Sequence, residues 1–109
     1  MATYVFSYRS PKGYQPTPEA SALWREWFGA IGEAVVSVGQ PVGASRSVGE
    51  CDRASTDLGG FSLVEAPDLD AAVALAEGCP TLSRDGGVEI GELLPVPEAV
   101  HGPRPAIPA

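Results

Sequence analysis

Residues 59–80 read Gly-Gly-Phe-Ser-Leu-Val-Glu-Ala-Pro-Asp-Leu-Asp-Ala-Ala-Val-Ala-Leu-Ala-Glu-Gly-Cys-Pro. The pattern is a strand, a corner and a short helix. Gly59 and Gly60 loosen the backbone before Phe61 to Ala66, a run of strand-forming residues. Pro67 ends that run. Asp68 is placed to accept a backbone N–H from the first turn of the helix that follows. Leu69, Ala72, Val73 and Ala76 then recur at helical spacing, and Gly78 with Pro80 is expected to stop the helix in a left-handed turn.

Upstream lies a second copy of the unit. Thr3 to Arg9 alternates, with Tyr4, Phe6 and Tyr8 on one side and Val5 and Ser7 on the other, as in a strand. Ser10 to Pro16 reads as a loop. Thr17-Pro18-Glu19 is a helix start: a capping hydroxyl, a first residue with preset φ and an acid near the positive helix end. Trp24, Trp27, Phe28, Ile31, Val35 and Val38 then form one apolar stripe, so the helix is expected over residues 18–38, ending at Gly39. Gly29 and Gly32 inside it suggest close approach of another backbone, with overpacking if Gly32 is enlarged. Pro41 to Val48 reads as an edge strand carrying Ser45 and Arg46, and Gly49 to Leu58 as a loop with room for a short strand. After the turn Arg84-Asp85-Gly86-Gly87, Val88 to Leu94 is the last strand.

Strand–helix–strand twice over, with right-handed crossovers, predicts an α+β fold: a ferredoxin-like βαββαβ sandwich with two helices on one face of a four-stranded antiparallel sheet. The first and third strands should be central. The expected registers put Tyr4, Phe6, Phe61, Leu63, Val88 and Ile90 on one face, and Val5, Ser7, Ser62, Val64, Gly91 and Leu93 on the other. The second face is half apolar, so a homodimer built sheet to sheet is expected. The segment from Pro95 to Ala109 holds five prolines and no periodicity. The chain therefore divides into a folded domain, 1–95, and a proline-rich tail, 96–109.

Composition bounds the function. The 109 residues suffice for one domain with its own core, and 44% are hydrophobic. The formal net charge of −7 disfavours nucleic acid and anionic membrane surfaces as partners. No apolar run approaches the roughly 20 residues that span a bilayer, and no signal-peptide order opens the sequence, so a cytoplasmic location is expected. Cys51 and Cys79 are too few for a disulfide framework and are not spaced as a metal pair. The single histidine, His101, falls in the tail. No metal and no cofactor are expected. Asp68 and Asp70 read as a cap and a first-turn acid, and Asp85-Gly86-Gly87 as a turn lacking the Lys and Ser/Thr of a phosphate loop.

Several of these stretches resemble the YCII-related family: 59–66, Asp-Leu-Asp-Ala-Ala at 68–72, Gly78-Cys79-Pro80 and Gly-Val-Glu-Ile at 87–90. Trp-Arg-Glu-Trp-Phe at 24–28 and Val-Gly-Gln-Pro-Val-Gly at 38–43 are similar to a subset of it. The resemblance covers most of residues 3–95 and implies a dimeric α+β barrel. It also implies relatives mostly without assigned function, a few of them small-molecule enzymes, one type removing chloride from a chlorinated hydroxyquinone. Enzyme-like members carry a His in the first helix working with an Asp, and residues 18–38 hold none. A branch with Asp-Gly-Pro-Phe before the third strand has Arg-Ala-Ser-Thr-Asp-Leu-Gly-Gly here, at 53–60.

The expected activity is small-molecule binding in a cavity between helices and sheet. Its expected walls are Tyr8, Trp24, Trp27, Ser45 and Arg46, with Arg46 holding a carboxylate or phenolate and Tyr8 donating a hydrogen bond. The bland alternatives are core packing for the tryptophans and an exposed edge-strand charge for Arg46. Two further readings stay open: a cofactor-independent enzyme (a lyase, isomerase or oxygenase of aromatic compounds), and an interaction module clasping a partner with its tail.

Overall fold

The computed structural model describes residues 1–51 and 55–96. Its elements run β1 (Ala2–Pro11), α1 (Pro18–Ile31), β2 (Val35–Pro41), β3 (Thr56–Ala66), α2 (Leu69–Ala76) and β4 (Gly87–Glu92). A short 3-10 turn follows each helix, at Gly32–Ala34 and at Pro80–Arg84. The sheet order is β2-β3-β1-β4 and every pairing is antiparallel. This is the ferredoxin-like α+β arrangement, with β1 and β3 central. The expected tail lies outside the described residues from position 97, and His101 with it.

Both helices start as the sequence dictates. Thr17 accepts from the Ala20 N–H at 3.1 Å, and Asp68 accepts from the Ala71 N–H at 2.8 Å. The core forms where the alternation of β1 meets them. Tyr4, Phe6 and Tyr8 are buried with Trp27, Val64, Ala66, Ala72, Ala76 and Cys79.

Several expectations are corrected. First, α1 stops at Ile31, seven residues early. Gly32 takes φ +46 and its N–H returns to the Phe28 carbonyl, ending the helix. A Cβ at Gly29 or Gly32 would meet nothing within 4 Å, so no backbone approaches either glycine. Val35 and Val38 continue the helical stripe by coincidence. Val-Val-Ser-Val is a β-branched run, and it forms the edge strand β2. Second, residues 42–51 hold no strand, so Ser45 and Arg46 lie in a loop.

Third, β3 begins at Thr56, and Gly59 and Gly60 sit inside it. Tyr8 pairs with Gly60 but Arg9 with Leu58, so Gly59 is the extra residue of a bulge. Within β3 the faces are exchanged: Tyr4 opposes Val64 and Phe6 opposes Ser62, so Ser62 and Val64 face the helices. Phe61 and Leu63 oppose Ser7 and Val5 on the uncovered face. Fourth, Gly78 is not a left-handed stop. The helix closes through Glu77 and through the Cys79 N–H on the Ala76 carbonyl at 2.9 Å. Gly78 instead leaves room for Trp27, whose Cδ1 would stand 3.2 Å from a Cβ there. The last strand ends at Glu92, two residues before the expected limit.

Gly39 has φ +71 in the middle of β2, and a Cβ there would collide with the Phe61 carbonyl oxygen. Gly39→Ala should therefore destabilise the chain by roughly 2–4 kcal/mol, adding left-handed strain to overpacking. Gly29→Ala, on the open face of α1, should stabilise it by about 0.5–1 kcal/mol. Urea denaturation of the pair checks both, and equal effects would contradict the β2–β3 contact.

Candidate functional site

Tyr8 ends the buried stripe of β1, and its strand partner, Gly60, has no side chain. The start of α1 returns above this end of the sheet and brings Trp24 edge-on to Tyr8, with ring centroids 4.7 Å apart. Trp24 leans on Phe28 at 5.9 Å and on Trp27 at 5.7 Å. Between these rings and the end of β2 opens a cleft of about 650 Å3. Its lining includes Tyr8, Tyr14, Trp24, Phe28, Val38, Gln40, Asp57 and Phe61. The volume lies in the range of small-molecule sites, roughly 300–1,000 Å3.

A hydrogen-bond chain crosses the sheet beneath it. The Tyr8 hydroxyl donates to Ser62 Oγ at 2.9 Å, and Ser62 Oγ donates to the Val38 carbonyl at 2.8 Å. The chain links β1, β3 and β2 in turn. Burial holds the Tyr8 hydroxyl well above the usual tyrosine range, so it stays neutral throughout physiological pH. The rim carries an ion pair, Lys12 Nζ to Asp57 at 3.5 Å. Arg9 donates to Thr56 from the same corner.

The YCII-related domain matches residues 1–97. The chain belongs to the YCII-related domain family. No curated protein and no solved structure matches it.

Within this YCII-related domain, the expected site residues are placed as follows. Tyr8 and Trp24 line the cleft. Trp27 is buried and outside the lining; its indole N–H donates to the Leu75 carbonyl at 3.1 Å, tying α1 to α2. Ser45 and Arg46 are in the 42–51 loop and are not among the lining residues. The expected hydrogen bond from Tyr8 to a ligand meets a proton already directed at Ser62.

Sequence reasoning missed Tyr14, Val38, Gln40 and Asp57. Tyr14, between prolines in the 12–16 loop, was the detectable one: an aromatic ring in a short rigid loop beside a strand end. Val38 was hidden by the assignment of its stretch to the helix, and Gln40 by falling between that helix and the strand expected from Pro41.

Among the described residues no group of three or more His, Cys, Asp or Glu is placed to hold a metal ion. No helix of the described residues is long and apolar enough to cross a membrane. Cys51 is exposed, whereas Cys79 is buried in the core cluster. Burial pushes the Cys79 thiol up to about 11. In the unfolded chain it ionises near 9.0, its ordinary value. The neutral thiol therefore contributes stability that is complete below about pH 9 and lost as pH rises through about 11. Cys79→Ala should flatten the fall in urea midpoint across that window, and an unchanged slope would contradict the burial of the thiol.

Proposed function

We propose that this YCII-related protein is a homodimer that binds a small aromatic molecule in the cleft between α1 and the β1–β3–β2 end of the sheet. One observation carries the binding reading: Tyr8, Trp24, Phe28 and Tyr14 wall one open cleft of about 650 Å3. Core aromatics normally pack against one another until no space is left. Here Trp24 and Phe28 are only partly buried, with one side of the cluster turned to the opening. Apolar walls with a few polar groups suit a compact ligand. Binding is placed ahead of catalysis because the Tyr8 proton is engaged by Ser62 and the lining carboxylate, Asp57, is paired with Lys12.

The dimer reading rests on the other face of the sheet. Val5 and Leu63 are partners across the central strands and Gly91 lies beside Val5, all three only partly buried. Both helices pack on the opposite face. A second sheet laid on this patch would cover it.

Titration with benzyl alcohol, benzylamine and benzoate, followed by tryptophan fluorescence, tests the site. At least one should give a saturable change, weakened about tenfold or more in Trp24→Ala, a loss of about 1.4 kcal/mol. No saturable change with any of them would overturn the binding reading. Sedimentation at about 10 µM should show a dimer for the parent chain and a monomer for Leu63→Glu; a monomeric parent would overturn the dimer.

A further inference from the structure

The hydrogen-bond chain under the cleft has a fixed direction. The Val38 carbonyl has no proton to give, so the Ser62 hydroxyl must donate to it, at 2.8 Å. Ser62 has then spent its one proton. The Tyr8 hydroxyl must donate to Ser62, at 2.9 Å, and has spent its own. Only lone pairs remain on the Tyr8 oxygen.

The charge of the lining has the same sign. Among the described residues that line the cleft, Asp57 is the charged one, and its carboxylate can only accept. No described lining residue is a Lys, Arg or His. Lys12 holds Asp57 from outside the lining, with its side chain half exposed. The formal net charge of −7 extends the bias over the whole chain.

We infer that the cleft selects hydrogen-bond donors: its ligands are aromatic alcohols or amines, and aromatic carboxylates and purely accepting ethers are discriminated against. Tyr8 is the residue that sets this polarity, and Ser62 sets it through Tyr8. The inference rests on the proposal that the cleft binds a small aromatic molecule, and it names the class. An acceptor-only group placed against Tyr8 would face its lone pairs with its own and lose its water there without replacement; the other polar lining groups, the Ser10, Tyr14 and Ser21 hydroxyls and the Gln40 amide, can donate or accept and set no such preference.

Four probes of closely similar size separate the cases: benzyl alcohol, benzylamine, benzyl methyl ether and benzoate. Their dissociation constants are read from the Trp24 and Trp27 indole N–H signals in 1H–15N NMR. The alcohol and the amine should bind about tenfold or more tighter than the ether and benzoate. Tyr8→Phe keeps the ring and removes the lone pairs, so the alcohol should fall to the level of the ether. Ser62→Ala releases the Tyr8 proton, so the ether should gain relative to the alcohol. Equal affinities for all four would overturn the donor rule and leave the binding proposal standing. A preference for benzoate would overturn it outright. No shift of the indole signals with any probe would overturn both.

Discussion

The chain from Tyr8 through Ser62 to the Val38 carbonyl is the constraint on which the rest of this structure depends. It puts one polar group from each of three neighbouring strands into a single line, buried at its Tyr8 end. A buried hydroxyl without a partner costs about 1–3 kcal/mol, so each member holds the next in place. No buried side-chain nitrogen or oxygen among the described residues lacks a partner. The line also fixes the position of β2, a seven-residue edge strand with two register shifts against β3. An irregular edge strand needs such an anchor, because its ladder alone is broken. The carbonyl of Val38 supplies it, one residue before the positive-φ Gly39 that lets β2 approach Phe61.

The cleft follows from where α1 starts and stops. Thr17 and Pro18 begin the helix above the end of β1, so Trp24 and Phe28 fall beside Tyr8. Gly32 ends it early enough for Val35–Pro41 to return as a strand next to β3. That strand supplies the opposite wall. Behind the lining, Trp27 is buried between the helices, held by Leu75 and given room by Gly78. The site is thus a by-product of two glycines and one strand: one glycine ends a helix, the other spares an indole.

Much of the fold was legible in the sequence because its signals were local. The alternation of Tyr4, Phe6 and Tyr8, the caps at Thr17 and Asp68 and the corner at Pro67 each depend on a few adjacent residues. What was not legible depended on partners far away. The helical stripe through Val35 and Val38 looked continuous because 3.6-residue spacing and β-branched strand residues coincide over one further turn. Phe61 and Leu63 looked like core because they are larger and more apolar than Ser62. Ser62 faces inward because of the β1–β3 register, and there Tyr8, 54 residues away, gives it a proton. No pattern in residues 59–66 carries that information. For the site, Tyr8 and Trp24 were readable as aromatics at the junction of a strand and its helix. Arg46 was attractive as a cation on a strand, and that strand does not form. Gln40 and Asp57 reach the cleft through β2 and the early start of β3, both set by tertiary pairing.

The polarity of the cleft rests on the direction of one proton. The Tyr8 hydroxyl proton, held by Ser62 in a buried site, should give its own NMR resonance. It should exchange slowly with water and show a nuclear Overhauser contact to the Ser62 β-protons. Absence of that resonance under conditions where the Trp27 indole N–H is protected, or a contact from Tyr8 to protons of the cleft lining in place of Ser62, would contradict the account.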